Sequence, residues 1–535
     1  MRNAGRTGRP MDRTGRPTRM LLGASALVLA TALAGCDLAA ISKVSGDIVA
    51  PQYDPTNLFG GDASDDGSIV VFETEWAFDP ADTNEVADII VSDRSTGLQT
   101  RVSSASGGGA PNAVALDASV SGDGRFVTWT SAASDIVPGD TNGVNDIFRY
   151  DRSTGETVRV SVSSAGAQAN GSSRASSMSD DGELVVFESD ASNLAVNDTN
   201  AKTDVFVRAV DKGTTTRRSV GVNGIQGTGN SSQPAISGDG TSVVFSTFSS
   251  FDASDSNGLK DIYRKVGTGT TLITRGLGSA PTNGDSLFPA IDQDGTVVAF
   301  RSNASNFVGF DDNGTSDVFV WEAGAIELVS ATSSGGVAPA GVVSDVSVDD
   351  SGNLVGFSSS APELTSGAAT TQALVRNLTD KRTDHVSASL TGEVGDGVDT
   401  LQAISGDGRS VVVRAVSHNL LPEDPNYSAD LLVKAYPFPR VTSVTPSVVA
   451  PGTSRTVTIR GSGFAAPLEV SLSAHPTATV TLSAPIVVSP KLMMVQVTVP
   501  AGAAAHSHDL KVRNLGVYEN SSGAETTCYD CVQVG

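Results

Sequence analysis

The residues with the clearest chemical potential are acidic and amide side chains that recur in one pattern, D-x-N-x-x-x-D. Oxygen donors at its first, third and seventh positions are ligands that calcium takes in protein loops. Calcium needs about six to eight oxygens, so a single loop of this kind would bind it weakly. The alternative is structural, with the Asn in an Asx turn and the last Asp bonding backbone amides at a strand entrance. The six copies are Asp82/Asn84/Asp88, Asp140/Asn142/Asp146, Asp198/Asn200/Asp204, Asp255/Asn257/Asp261, Asp311/Asn313/Asp317 and Asp424/Asn426/Asp430.

Two cysteines near the end of the chain, Cys528 and Cys531, form C-x-x-C. A redox motif of this type needs a helix after it, and only four residues follow. We therefore predict a disulfide, because residues 1–33 have the features of a secretory signal and an exported chain folds in an oxidising compartment. His506 and His508 fall on one face of a predicted strand, but two such residues do not make a metal site.

The sequence contains no catalytic motif that stands out from its repeats. The mature chain has no G-x-S-x-G elbow. One irregular place is Glu73, Glu75 and Trp76, partly shared by Glu188, where other repeats carry Ser or Thr. An enzyme interpretation would start there, but we predict no catalytic residues and no cofactor other than calcium.

The acidic loops belong to a repeat that is clearest from Asp117 to Ser161. A glycine follows an acidic turn in each copy, and the steps between these glycines are 57, 58, 58, 55, 57 and 56 residues. So steady a period indicates a repeat architecture. The glycines are Gly67, Gly124, Gly182, Gly240, Gly295, Gly352 and Gly408.

One repeat predicts four short strands. Asp123-Gly124 is a hairpin signal that places both residues at positive φ, and it leads into an alternating, half-buried strand over 125–130. The acidic loop then leads to strands over 146–150 and 157–161. Four strands joined as a meander form a propeller blade, so seven repeats predict a seven-bladed β-propeller rather than an open stack.

The two ends of this array are predicted to close on each other. The seventh repeat runs from Leu401 through residues 431–434 and then enters a stretch that contains prolines, so it lacks a fourth strand. Residues 41–45 (ISKVS) look like the missing one, since they match 158–161 (VRVS) in pattern. We predict that 41–45 complete the last blade.

The repeats resemble the TolB-type, WD-repeat-like propeller repeats of bacterial envelope proteins. The shared features are an S-x-D-G turn at Ser179–Gly182, a V-V-F run at Val185–Phe187 and a D-[IV]-[FY] strand start at Asp204–Phe206. The resemblance covers about residues 57–437. It implies a propeller at the envelope, although these repeats are longer than those of TolB and no separate domain precedes them.

From Pro439 the pattern changes to resemble the IPT/TIG immunoglobulin-like fold. Residues 440–446 (RVTSVTP) and 456–464 (TVTIRGSGF) carry the likeness, and alternating runs at 494–499 and 509–513 fit further strands. Such runs independently favour a β-sandwich. The resemblance implies a spacer or a site of protein or glycan contact.

The first residues have the features of a secretory signal. Residues 1–19 carry six arginines, and 20–33 are almost wholly apolar or small. Leu33-Ala34-Gly35-Cys36 resembles the lipobox of bacterial lipoproteins, which implies cleavage before Cys36 and a diacylglycerol on its sulfur, with palmitate as an expected acyl group. The predicted domains are a signal peptide (1–35), an anchor, linker and closing strand (36–56), the propeller (57–437) and the sandwich (438–535).

The charge of the chain limits its partners. The formal charge is −23, and residues 1–35 contribute +5, so the mature chain carries −28. Such a surface disfavours nucleic acid. We expect an exported, lipid-anchored protein of the bacterial envelope that binds or scaffolds an envelope protein or polysaccharide. The alternatives are a lyase or hydrolase with a site in the propeller channel, and a calcium-stabilised adhesin.

Overall fold

The structure is a computed structural model, and regular structure in it is almost entirely β-strand. It describes residues 41–44, 58–77, 81–332, 335–336, 343–365, 367–379, 381–389, 393–421, 429–436, 440–462, 464, 468–472, 480–489, 492–514 and 525–534. The helical elements of this part are two 3-10 turns, Val222–Gly224 and Leu277–Ser279.

The repeats form four-stranded antiparallel sheets, seven of them within the described residues. Six follow the chain strand by strand, and the seventh combines three late strands with the first strand, β1. The strands are β1 (Ile41–Lys43); β2 (Leu58–Ala63), β3 (Ile69–Thr74), β4 (Asp88–Asp93) and β5 (Leu98–Arg101) in sheet 1; β6 (Ala115–Val120), β7 (Phe126–Ser131), β8 (Asp146–Asp151) and β9 (Glu156–Arg159) in sheet 2; β10 (Ser173–Met178), β11 (Leu184–Ser189), β12 (Asp204–Ala209) and β13 (Thr214–Arg217) in sheet 3; β14 (Ser231–Ile236), β15 (Ser242–Thr247), β16 (Asp261–Val266) and β17 (Gly269–Leu272) in sheet 4; β18 (Ser286–Ile291), β19 (Val297–Ser302), β20 (Asp317–Glu322) and β21 (Ala325–Leu328) in sheet 5; β22 (Val343–Val348), β23 (Leu354–Ser359), β24 (Gln372–Asn377) and β25 (Arg382–His385) in sheet 6; and β26 (Thr400–Ile404), β27 (Ser410–Ala415) and β28 (Asp430–Ala435) in sheet 7.

The second strand of each sheet is buried on both faces. In β7 all six residues are buried, so the half-buried strand predicted from the alternation at 125–130 is wrong. The physical reason is that apolar residues of neighbouring sheets cover both faces, and even the small polar residues between them are enclosed. Trp129 and Phe148 stack within this core with ring centroids 5.9 Å apart. Outer strands such as β9 are half-exposed.

The hairpin turns differ from the predicted two-residue form. In sheet 2 Gly124 has φ +71°, whereas Asp123 is not among the residues at positive φ, so that part of the prediction is wrong. Asp123 Oδ1 instead accepts hydrogen bonds from Ser121 Oγ at 2.7 Å and from the backbone N–H of Arg125 at 2.9 Å. The carboxylate thus orders a longer turn, and only glycine takes the left-handed conformation.

Backbone hydrogen bonds connect these seven turns, which we call the turn ring, from sheet to sheet. The last bond returns to the first turn, so the bonds form a closed cycle. They run from Asp65 N–H to Gly122 O (2.9 Å), Asp123 to Asp180 (3.3 Å), Asp180 to Gly238 (3.0 Å), Asp239 to Gln293 (2.9 Å), Gln293 to Asp350 (3.3 Å), Asp350 to Gly406 (3.0 Å) and Asp407 to Asp65 (2.8 Å).

The predicted closing strand is confirmed over residues 41–43. β1 pairs antiparallel with β28, and Ile41 lies opposite Lys434. Lys43 Nζ is 2.9 Å from the buried carboxylate of Asp430, and Val44 is also buried. The rest of the predicted segment, Ser45, lies outside the described residues.

Four sheets are also joined by a basic residue at the fifth position of the third strand, which we call the staple position. There the side chain donates to backbone carbonyls just beyond the fourth strand of the preceding sheet. Lys434 Nζ, for example, donates to Val386 O at 2.9 Å and to Ala388 O at 2.6 Å. The four staples are Arg208, Lys265, Arg376 and Lys434.

The C-terminal strands form two sheets around a separate core. In one, β31 lies between β29 and β35, and both β33 and β34 pair with β35; the other has the order β30-β37-β36-β32. Buried Ile459, Val495 and Val512 lie at its centre. The strands are β29 (Arg440–Thr445), β30 (Val448–Val449), β31 (Ser454–Ser462), β32 (Leu468–Leu472), β33 (Thr481–Leu482), β34 (Ile486–Ser489), β35 (Leu492–Thr498), β36 (His506–Asn514) and β37 (Glu525–Val534).

Among the described residues no helix has the length and apolar character needed to span a membrane.

We predict that the array depends on β1 for stability. A chain that starts after Ser45 should lose about 3 kcal/mol of unfolding free energy, because Asp430 loses Lys43 and the buried Val44 is missing. Chemical denaturation of this chain, beside one that starts at Asp37, measures the loss. The single variant Lys43→Met should reproduce part of it. Equal stability of both chains would show that β1 contributes nothing.

Candidate functional site

The acidic loops lie between the second and third strands, and their last aspartate begins the third strand. Asp88, Asp146, Asp204, Asp261, Asp317 and Asp430 are all at most 2% exposed. In sheet 4, Asp261 accepts hydrogen bonds from Thr274 Oγ1 at 2.6 Å and Asn257 Nδ2 at 3.0 Å. Asn257 Oδ1 also accepts the backbone N–H of Leu259 at 2.9 Å, which forms an Asx turn. The same arrangement recurs at Asn142, Asn200 and Asn313.

A protein cation already contacts the last aspartate in several of these loops. Arg159 Nη1 lies 3.3 Å from Asp140 and 3.4 Å from Asp146. In the same way, Arg217 Nη1 lies 3.0 Å from Asp198 and 3.2 Å from Asp204. In sheet 1, Arg101 is 3.8 Å from Asp88.

Sheets 4 and 5 carry Leu272 and Leu328 at the position of Arg159. In sheet 4 the Tyr263 hydroxyl donates to Asp255 instead, at 2.7 Å. In sheet 5 burial and the charge of Asp317 raise the pKa of Asp311 to about 6. Calcium binding at these loops stays a prediction. In sheet 5 the carboxylate pair has Leu328 at the position of Arg159 and Phe319 at the position of Tyr263. Asp82 and Asn84 belong to the loop of sheet 1, where Asn84 Nδ2 donates to Pro111 O at 2.8 Å; Asp424 and Asn426 lie outside the described residues.

Several other predicted residues fall partly or wholly outside the described part of the chain. Cys36 is one of them. Cys528 and Cys531 both lie on β37, but their side chains are not among those described, so the disulfide stays a prediction. His508 is 3% exposed and belongs to the interior of the sandwich rather than to its surface.

The irregular glutamates are buried at sheet-to-sheet contacts. Glu73 is 5% exposed and accepts the backbone N–H of Ala118 in the next sheet at 2.9 Å. Burial raises the pKa of Glu73 to about 7. Glu188 accepts the N–H of Gln233 at 2.7 Å in the same way and pairs with Arg174 at 2.7 Å. Glu75 is exposed.

Sequence reasoning missed a cluster of three aspartate carboxylates at the turn ring. Asp65, Asp180 and Asp350 come from three different sheets, yet one oxygen of each lies within 4.8 Å of the others. We call these three residues the turn cluster. They hold the second position of their turns, and glycine or glutamine holds it in the other four. In chain order these second positions are Asp65, Gly122, Asp180, Gly238, Gln293, Asp350 and Gly406. The signal was present in the aligned turns, but nothing in a single repeat marks it.

Each carboxylate of the turn cluster lies against the glycine of the next turn. A Cβ at Gly122 would be 2.4 Å from Asp65 Oδ2, and one at Gly406 would be 2.3 Å from Asp350 Oδ2. Any larger residue there would push the aspartate away. The alternation of aspartate and glycine therefore sets where the carboxylates lie.

Burial and mutual repulsion make the turn cluster hold protons more tightly than free carboxyl groups. Burial, followed by the charges of Asp350 and Asp180, raises the pKa of Asp65 to about 7. Burial, followed by the charge of Asp180, raises the pKa of Asp350 to about 6. Burial, followed by the charges of Asp181 and Asp239, raises the pKa of Asp180. Carboxylates at this separation can share protons, or can contact one hard cation whose further oxygens come from water.

Comparisons with known proteins agree with the two kinds of β-structure. Residues 439–528 match the IPT/TIG domain family, which confirms the resemblance of this region. Comparison with curated proteins finds no match.

Several solved structures are also similar to this chain. The chain is similar to the β-propeller domain of the Trilobed protease from Pyrococcus furiosus, at 9% identity and a TM-score of 0.43, over 71% of this chain and 95% of that one. It is similar to a putative TolB from Agrobacterium tumefaciens at 17% identity and a TM-score of 0.34, over 54% and 86%. A third is an acylaminoacyl peptidase from Pyrococcus horikoshii, at 10% identity and a TM-score of 0.42, over 77% and 58%. The four-stranded sheets of this chain resemble propeller blades.

We predict that the turn cluster makes stability fall as pH rises. Because the folded pKa of Asp65 lies above its ordinary value of 3.8, the folded chain binds more protons than the unfolded chain between about pH 4 and 7. Asp65→Asn should therefore raise the unfolding free energy at pH 7.5 by about 1 kcal/mol, a figure reduced for partial exposure. At pH 4 the gain should vanish. Denaturation in a chelator at both pH values measures this.

The neighbouring Asp66→Asn variant is a matched control, because its expected effect on the unfolding free energy has the opposite sign. Hydrogen bonds from Ser68 and Ser64 lower the pKa of Asp66, so its removal should destabilise the chain at pH 7.5. A gain for Asp65→Asn that is equal at both pH values would contradict the electrostatic explanation.

Proposed function

We propose that the chain is a non-catalytic binding or scaffolding module, built as a closed seven-bladed propeller followed by an immunoglobulin-like sandwich. The observation that carries this is the cycle of backbone hydrogen bonds through the turn ring, in which each of the seven turns bonds to the next and the last bonds to the first. A rigid disc with loops on both faces suits recognition of a partner. The IPT/TIG match at 439–528 adds a second surface for contact.

The use of the recurrent acidic residues supports the same proposal. The last aspartate of the described loops bonds to groups within its own sheet, and Glu73 and Glu188 bond to the next sheet. The aspartates recur because six of the seven described sheets use one at the start of the third strand, and the two glutamates, which occur only in sheets 1 and 3, both bond to backbone groups of the next sheet. They are therefore poor candidates for a reactive group that only one site would need.

The proposed location is the bacterial cell envelope, with the lipid on Cys36 as anchor. Two or more acyl chains would give stable membrane attachment, which one chain does not. The mature chain would then present its acidic surface to a protein or polysaccharide of the envelope rather than to nucleic acid.

We predict that Cys36→Ala abolishes attachment. Cells supplied with a labelled fatty acid should incorporate it into the wild-type chain and into Cys528→Ala, but not into Cys36→Ala. Fractionation should find only Cys36→Ala outside the membrane fraction. Label in Cys36→Ala would refute the anchor and leave the binding proposal to be judged separately by cross-linking of partners in intact cells.

An enzyme remains the second candidate because of Glu73, a buried carboxyl group with a pKa near neutrality. Such a group suits general acid–base catalysis. Under our proposal the purified chain turns over neither envelope polysaccharide nor peptide, and Glu73→Gln changes only stability. Turnover that persists in Glu75→Gln, an exposed neighbour, and disappears in Glu73→Gln would establish the enzyme instead.

A further inference from the structure

The staple position is occupied differently in sheets 2 and 5. Where four other sheets place a cation, sheet 2 has Tyr150 and sheet 5 has Trp321. Each of these aromatic residues lines a cavity beside the preceding sheet, of about 550 Å³ at Tyr150 and about 530 Å³ at Trp321. Both volumes are in the range of ligand-binding clefts.

The residue opposite the staple position is a threonine in three of the four sheets that have a cation there, whereas Lys434 in sheet 7 lies opposite Ile41. Arg208 faces Thr215, Lys265 faces Thr270 and Arg376 faces Thr383, and each cation bonds to the threonine hydroxyl. Trp321 instead lies opposite Ile326. A polar cross-strand pair is thus replaced by an apolar one in sheet 5, whereas Tyr150 in sheet 2 keeps Thr157 opposite it.

The cavity between sheets 4 and 5 is therefore the more apolar groove. Its floor includes Phe307, which is buried, and its rim includes Leu277, which is 58% exposed. Trp321 is partly exposed, whereas Trp76 and Trp129 are buried. An aromatic and aliphatic groove that opens to solvent is what anchor side chains of a partner occupy.

One wall of the groove is a sheet edge. Thr271 and Leu272 belong to β17, which ends the order of sheet 4 and pairs only with β16 among the described strands. A free edge offers backbone N–H and C=O groups to an added strand. An extended segment could bond to β17 while one of its side chains enters the groove.

We propose that this groove binds an extended, basic peptide segment of a partner protein, with one large apolar side chain held between Trp321 and Leu277. The basic character follows from the formal charge of −23 and from Glu322, an exposed carboxylate next to Trp321 on β20. Arg275, the one cation among the described residues that line the groove, is already paired with Asp252 at 2.7 Å. The edge of β17 favours a peptide over a glycan, because only a peptide can add a strand to it. This inference rests on the proposed binding function and specifies the partner.

The test is selection of random twelve-residue peptides displayed on phage against the purified full chain, with counter-selection against Trp321→Lys. Lysine at 321 restores a staple like Lys265, so this variant should fold. We expect enriched peptides with a large apolar residue flanked by Lys or Arg, and at least tenfold weaker binding to Trp321→Lys. Leu277→Lys changes an exposed residue and should weaken peptide binding as well. It replaces Trp321→Lys in the comparison if Trp321→Lys does not fold. Tyr150→Lys, the matched change in sheet 2, should bind normally.

Other results would overturn the inference. Peptides that bind Trp321→Lys and Leu277→Lys as tightly as the wild type, or no enrichment at all, would exclude the groove as their site. Neutral oligosaccharides that bind in a Trp321-dependent way would replace the peptide with a glycan. Partner proteins that cross-link equally to wild type and Trp321→Lys in cells would leave the binding function standing and remove this groove from it.

Discussion

A four-stranded sheet with two apolar faces cannot be stable by itself, and this constraint underlies the whole repeat region. Each sheet buries its second strand on both sides, so every sheet needs a neighbour at each face. Sheets at the two ends of a row would leave a face uncovered. The bond from Asp407 to Asp65 brings the last turn back to the first, and β1 gives sheet 7 its fourth strand. Closure is therefore a requirement of burial as much as of backbone pairing.

Polar residues in the array follow from the same packing. Buried aspartates at the start of the third strand need donors, and the sequence supplies Asn, Ser or Thr and often Arg nearby. Buried backbone carbonyls between sheets need hydrogen-bond donors as well, and the basic side chains at the staple position donate to them. Because burial holds the pKa of Lys434 near 7, that side chain can also donate as a neutral amine. The contrast with Tyr150 and Trp321 shows where the sequence departs from this scheme.

Much of the fold was readable from the sequence because its signals are local and repeated. The period of the glycines and the lone fourth strand at 41–43 were enough to predict the sheets and their closure. The half-buried character assigned to 125–130 was wrong because small polar residues such as Thr128 can be buried between sheets. The turn cluster was missed for a different reason. Its members are separated by more than one hundred residues, and only the cyclic order of the turns brings them together. The acidic loops show the limit of reasoning from motifs, because D-x-N-x-x-x-D does not reveal that Arg159 lies against two of its carboxylates.

The pairing of β1 with β28 has a consequence for how the chain reaches its folded state. β1 is synthesised before every other strand described, yet its partner residues 432–434 follow six complete sheets. The bond from Asp407 to Asp65 must wait for sheet 7 as well, and contacts between distant parts of a chain form slowly. During synthesis β1 would thus remain unpaired until nearly the whole array had been made.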